Sequence, residues 1–193
     1  MIFGDTLNHD SQKQILAIHG GSRDRTAFYE FRKNVYEYGF GSTAFDCLGH
    51  GESSATLSES SLYHRTEQAL SVIQSLATPP KACIGVSMGA YNAIQLSKII
   101  ALDHLILVVP GTYTAKAYQT NFGEQFSKII RTPDSWKDSD SWEILSNFSG
   151  KLLIISAEND QIVPNEIPQK MFESARNTRW KQHLIIPKLG HKG

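Results

Sequence analysis

The run Ala82-Cys83-Ile84-Gly85-Val86-Ser87-Met88-Gly89-Ala90 places a serine between two glycines, each two positions away, after an apolar stretch and before a helix-compatible one. A serine hydroxyl is a weak nucleophile at neutral pH. To attack an acyl carbon it needs to stand clear of the backbone, with a base beside it and hydrogen-bond donors facing the oxygen that gains charge. Gly-x-Ser-x-Gly between a strand and a helix meets the first need, because it is a sharp, strained turn in which a side chain at either glycine would collide with the adjoining element. The bare pattern arises by chance in about one chain of this length in fifteen, so its weight comes from the strand before it and the helix after it. The bland alternative is a tight glycine turn with an idle serine.

The elements that must position such a serine show as short apolar runs alternating with amphipathic stretches. Six runs have strand length: Ile15–Ile18, Ser42–Phe45, Ala82–Val86, Leu105–Val109, Leu152–Ile155 and His183–Ile186. Their hydrophobicity is continuous rather than alternating, as strands covered on both faces require. Helices are expected around 25–38, 62–76, 89–101 and 166–176; in the second, Ala69, Val72, Ile73 and Leu76 make one apolar stripe. The pattern predicts a parallel sheet with helices on both faces. The longest connection without a strand runs from Gly111 to Gly150, with Tyr113, Tyr118, Phe122, Phe126, Trp136 and Trp142 spaced by polar residues. It reads as a small helical lid whose aromatics serve either an acyl pocket or ordinary packing.

At 193 residues the chain fits a single domain, 1–193, with that insertion at about 111–150. Lys+Arg and Asp+Glu number 19 each, so no charge excess favours nucleic acid or anionic lipid. Met1-Ile2-Phe3-Gly4-Asp5 lacks the basic and apolar regions of a signal peptide, and no apolar run reaches membrane-spanning length, so a cytoplasmic protein is expected. Cys47 and Cys83 form neither a disulfide framework nor a zinc pattern and read as buried thiols.

With these motifs the chain resembles the α/β-hydrolase superfamily along almost its whole length. The resemblance implies the α/β-hydrolase fold: a mostly parallel central sheet of about six strands, helices on both faces and a small helical lid. Leu16-Ala17-Ile18-His19-Gly20-Gly21-Ser22 resembles the family's His-Gly segment, whose loop gives one oxyanion-hole N–H; Gly21 is the candidate, Gly20 the alternative, and Met88 should supply the other N–H. Phe45-Asp46-Cys47-Leu48-Gly49-His50-Gly51-Glu52-Ser53 resembles an Asp-x-x-Gly-His-Gly-x-Ser stretch, in which Asp46 and His50 are read as turn-stabilising partners. Ile154–Pro164 resembles the segment carrying the catalytic acid, which points to Asp160; Ala157 replaces a usual glycine and Glu158 is a competing carboxylate. The family order of serine, acid, histidine leaves His183 and His191 as bases. His183 opens a strand run, whereas His191 lies in the loop after it, where the family places its histidine. Only Lys192 and Gly193 follow, where the family continues into a closing helix, so the end is either shortened in this protein or missing from the sequence.

The implied chemistry is serine hydrolysis of a small-molecule carboxylic ester or thioester through an acyl-enzyme, with a small to medium acyl part and no metal or organic cofactor. Carbon–carbon bond hydrolases and monoglyceride-lipase-like enzymes share the Gly-His-Gly stretch and stay open. So do a non-catalytic small-molecule binding module and a degenerate hydrolase on the same fold, which turnover assays would separate. The oligomeric state is left open.

Overall fold

The computed structural model describes residues 1–191; Lys192 and Gly193, expected to follow the histidine without a closing helix, lie outside the described residues. Among the described residues seven strands form one sheet: β1 (Phe3–Leu7), β2 (Gln14–Ile18), β3 (Gly41–Asp46), β4 (Ala82–Val86), β5 (His104–Val108), β6 (Lys151–Ala157) and β7 (Trp180–Ile186). Their spatial order is β1-β3-β2-β4-β5-β6-β7, parallel throughout except for the antiparallel β1–β3 pair.

The continuous apolar runs follow from burial on two faces. Along β2, Ile15 and Ala17 meet Phe28, Phe31 and Val35 on the side of helix α1 (Tyr29–Glu37). Leu16 and Ile18 point the other way, into a larger core with Ala69 and Ile73 of α2 (Leu62–Ser75) and Ala90, Ala93 and Ile94 of α3 (Met88–Ser97). In β5, Leu105 and Leu107 lie in that core, fully buried. Side chains alternate across a pleated strand, so a central strand needs an apolar residue at every position.

Two departures from expectation concern edge strands. β1 makes the sheet seven-stranded; its sequence Phe-Gly-Asp-Thr-Leu is mostly exposed, lacks a β-branched run and gives no buried-strand signal. Arg32 of α1 fixes it by an ion pair with Asp5 (2.7 Å) and a hydrogen bond to the Ser42 carbonyl (3.1 Å). β7, at the opposite edge, begins at Trp180 rather than His183; the polar Lys181 and Gln182 keep Trp180 out of the apolar run.

Residues 111–150 carry α4 (Ala115–Gln119), α5 (Glu124–Arg131), a 3₁₀ turn (Ser135–Asp138) and α6 (Ser141–Asn147). Ile144 and Leu145 bring α6 into the main core beside α7 (Glu166–Ser174), which contributes Ile167 and Met171. Asp140, before α6, accepts hydrogen bonds from Tyr91 (2.9 Å) and Gln95 (2.8 Å) of α3. Phe122 and Phe126 instead form a separate cluster with Leu62, Tyr91 and Ala117. Cys47 and Cys83 are free and buried, and burial raises the pKa of both thiols. Among the described residues no helix is long and apolar enough to cross a membrane.

Because β2, β4, β6 and β7 are parallel, the segments following them emerge at one edge of the sheet. That edge receives Gly20 and Gly21, Ser87, Asp160 and His191. The frame depends on the central strands, so Leu107→Ala should cost roughly 2–5 kcal/mol of unfolding free energy in urea titration; a cost of a few tenths would mean that β5 is not at the packed centre.

Candidate active site

Ser87 has φ 52° and ψ −114°, a conformation that a residue with a side chain rarely adopts. The flanking glycines make the turn possible. A Cβ at Gly85 would run into the Gly89 carbonyl and fall 2.6 Å from Ala90 Cα; one at Gly89 would strike the carbonyl of Ile18 at the end of β2. The Ser87 N–H donates to Val108 O (2.8 Å), and its carbonyl accepts from Ala90 (3.1 Å) and Gly111 (3.1 Å). The strained residue is thus tied to β5, α3 and the connection after β5, and its hydroxyl is free to face the sheet edge.

The structure brings Ser87, Asp160 and His191 together. Ser87 Oγ lies 2.9 Å from His191 Nε2, and His191 Nδ1 lies 2.8 Å from Asp160 Oδ2. The two side chains of the latter pair are 12% and 4% exposed, so water scarcely competes for their hydrogen bond. Asp160 Oδ1 accepts from the N–H groups of Ile162 and Val163, both at 2.9 Å, which locks the carboxylate. With the carboxylate accepting at Nδ1–H, Nε2 presents its lone pair to the serine hydroxyl. Glu158, the competing acid, accepts from Lys188 N–H (2.7 Å) and is engaged there. The backbone of the same segment joins the histidine's loop through Glu158 N–H to Ile186 O (3.0 Å) and Asn159 N–H to Leu189 O (2.9 Å). His183 remains in β7, bonded to Ser156 Oγ (2.7 Å), with its pKa lowered by burial.

The loop after β2 crosses the elbow: a Cβ at Gly20 would lie 3.4 Å from Ser87 Cβ. His19, fully buried, sets the orientation of this loop. Its Nε2 accepts from Cys47 N–H (3.0 Å), so Nδ1 carries the proton and donates to Gly20 O (2.7 Å). Drawing that carbonyl onto the ring turns the Gly21 N–H, across the same trans peptide, the opposite way. His50 Nε2 lies 2.9 Å from Gly21 O. Asp46 accepts from Arg25 N–H (2.8 Å) and Glu52 N–H (2.9 Å) and is ion-paired with the Arg25 guanidinium. Both residues hold backbone, and neither bonds Ser87 or His191.

A cavity of about 540 Å³ opens at Ser87. One wall comes from the 111–150 connection, including Tyr113, Ile130 and Trp136, and the other from the segment after β6, including Ile162, Val163 and Ile167. Of the aromatics of the connection, Trp136 and Tyr113 line the cavity, Tyr113 while also packing on Tyr91 and Phe126, and Phe122, Phe126 and Tyr118 pack in the cluster with Leu62 and Tyr91. A larger hollow of about 650 Å³ lies at the opposite edge of the sheet, around Ile15, Phe31, Phe40, Ile106 and Trp180, and none of the grouped polar residues reaches it. The orienting role of His19 is not readable from its motif. The sign available in the sequence is a histidine directly after the apolar run Ile15–Ile18.

A model of the alpha/beta hydrolase family matches residues 15–143, more than half of the chain, a span that includes Ser87 and stops short of Asp160 and His191. Among solved structures, the fold is similar to a monoacylglycerol lipase of Paleococcus ferrophilus, with TM-score 0.78 and 15% identity over 99% of this chain and 90% of that one. It is also similar to a thioesterase domain from the curacin biosynthetic pathway (0.74, 17%, 98% and 89%) and an esterase of Exiguobacterium antarcticum (0.74, 18%, 98% and 88%). At these identities the likeness is one of fold. No curated protein matches the sequence.

The buried His19 gives a pH prediction. Its pKa is lowered from 6.5 to about 3, first by burial and then by the nearby Arg65 guanidinium. The unfolded chain therefore binds a proton below pH 6.5 that the folded chain refuses, and stability should fall from there toward pH 3. In denaturant titrations at a series of pH values, His19→Asn should flatten this decline, whatever it does to stability at neutral pH. An unchanged slope would assign the acid sensitivity to other groups.

Proposed function

The chain belongs to the alpha/beta hydrolase family, and from that premise we propose that it is a serine hydrolase that cleaves a carboxylic ester or thioester through an acyl-enzyme. The observation that carries this reading is the unbroken line from Asp160 through His191 to Ser87, with hydrogen bonds of 2.8 and 2.9 Å between residues far apart in sequence. In the proposed cycle His191 Nε2 takes the Ser87 proton as Oγ attacks the acyl carbon. Asp160 holds the tautomer and stabilises the imidazolium. The imidazolium then protonates the departing alcohol or thiol, and an acyl-serine remains. Water, deprotonated by the same nitrogen, attacks the acyl-serine, and the proton returns to Ser87 as the acid leaves.

The oxygen of each tetrahedral intermediate is assigned to the N–H groups of Met88 and Gly21, with Gly20 as alternative. Met88 opens α3, where backbone N–H groups have no intrahelical acceptor and the helix presents its positive end. The orientation that His19 gives the Gly20–Gly21 peptide supports the other half. Such a donor is worth roughly 2.7–4 kcal/mol in a hydrolase.

We assign the acyl group to the cavity at Ser87, whose volume and apolar residues Ile130, Trp136, Val163 and Ile167 suit a small to medium chain. The connection 111–150 then acts as the lid of a single domain. Lipase, esterase and thioesterase are the names of the similar structures, in keeping with an acyl substrate.

Ser87→Ala should abolish turnover of p-nitrophenyl acyl esters while leaving the circular dichroism spectrum intact; retained turnover would place the nucleophile elsewhere. Asp160→Asn should lower kcat by about 10⁴. If the loss is under about tenfold, the imidazole is oriented by another group. Wild-type protein that binds acyl esters of graded chain length without turning any over would favour a binding module on the same fold.

A further inference from the structure

Helix α2 carries an arginine inward. Arg65 lies on the buried stripe with Leu62, Ala69 and Ile73 and is 0% exposed. A guanidinium keeps its proton inside a protein, so burial commonly comes with a carboxylate. Arg25 pairs with Asp46 and Glu52, and Arg32 pairs with Asp5. No such ion pair is formed by Arg65 among the described residues, and its Nε has no hydrogen-bond partner there. Its two bonded nitrogens are directed at the elbow: Nη2 donates to the carbonyl of His19, and Nη1 lies 3.2 Å from Met88 Sδ.

Those two acceptors belong to different halves of one construction. His19 precedes the Gly20–Gly21 peptide, and Met88 follows Ser87. The Met88 side chain also lies against the loop, its Cε 3.0 Å from where a Cβ of Gly21 would stand. One guanidinium therefore touches both segments to which the oxyanion donors are assigned. Its charge is felt around it: it helps to keep His19 neutral, and it opposes the burial that raises the Tyr113 phenol, on the cavity wall, to about 12.

We propose that Arg65 is a positioning residue of the oxyanion hole, clasping the His19–Gly21 loop to Met88 and lending the site an uncompensated positive charge that favours the tetrahedral intermediate. The proposal rests on Ser87 acting as the nucleophile. A residue kept only for packing would not carry an unpaired charge, since an apolar side chain of similar length fills the space without the desolvation cost. The same cost predicts an opposition between stability and rate.

Arg65→Met should lower kcat for a p-nitrophenyl acyl ester by about 30-fold while KM changes by less than about twofold, because the lost interaction belongs to the charged intermediate. Its Tm should be equal to or above that of the wild type. Affinity for an alkyl boronate, whose serine adduct is a tetrahedral anion, should fall in parallel with kcat, and Arg65→Lys should recover part of both. A kcat within about threefold of wild type for Arg65→Met overturns the proposal. So does a parallel loss of kcat and Tm in both variants with boronate affinity retained, the signature of packing alone. Should the methionine variant not fold, Arg65→Gln and Arg65→Lys are compared by the same criteria. Fluorophosphonate labelling separates the two levels of inference. Wild-type protein that labels at Ser87 at the same rate as Arg65→Met overturns only the role of Arg65, whereas wild-type protein that neither labels nor turns over ester overturns the assignment of Ser87 and this proposal with it.

Discussion

Helix α3 approaches strand β2 closely only because position 89 has no side chain: the carbonyls of Ile18 and His19 occupy the space that a Cβ would need. Much of the site depends on this contact. It brings the first turn of α3 against the loop after β2, so that Met88 and Gly21 become neighbours. It also forces the chain between β4 and α3 into a turn too tight for relaxed dihedral angles, and the positive φ at Ser87 is the result. The strain is sustained by hydrogen bonds from the Ser87 backbone to β5 and to the connection beyond it, so the surrounding structure holds a conformation that the residue would not choose alone.

Around that contact, the polar groups follow a consistent arrangement in which backbone amides and carbonyls fix side chains, and side chains in turn fix backbone. Two amide N–H groups hold one oxygen of Asp160, leaving the other for His191. A third amide, that of Cys47, determines which nitrogen of His19 carries the proton, and that proton determines the tilt of the Gly20–Gly21 peptide. Each link is 3.0 Å or shorter, and the two at His19 are buried, where hydrogen bonds are strongest and missing partners most costly. A site built this way is organised before any ligand arrives, so little reorganisation remains for the moment of reaction.

The central strands were legible because burial on both faces leaves an unbroken apolar run, and β2, β4, β5 and β6 all carry one. β1 was not: an exposed edge strand is under no such constraint, and Phe-Gly-Asp-Thr-Leu could equally be a loop. At the site, motif order left His183 and His191, the place of His191 after the strand run favoured it, and the resemblance of its segment pointed to Asp160 with Glu158 as competitor; in the structure His191 lies beside Ser87 and Asp160 in line with it. Motifs name residues but not the bonds that orient them, which is why the tautomer of His19 could be read only from Cys47, 28 residues away in the chain. Arg65 left a faint trace, as a charged residue three positions after Leu62 and four before Ala69 on an otherwise apolar stripe. Sequence alone does not distinguish a guanidinium that reaches out to water from one that turns inward.

His191 lies in the loop that follows β7, the strand at one edge of the sheet. Among the described residues β7 pairs only with β6, and besides the Asp160–His191 bond the segment carrying His191 is joined to the neighbouring one by Glu158 N–H to Ile186 O, Asn159 N–H to Leu189 O and Lys188 N–H to Glu158. A border strand is where a sheet frays first, since loosening it exposes little of the interior. Withdrawal of the imidazole therefore requires much less energy than melting the fold. On heating, the contact between His191 and Ser87 is set by the lifetime of this margin rather than by the cohesion of the centre, and it should be lost while the spectrum still reports an intact sheet.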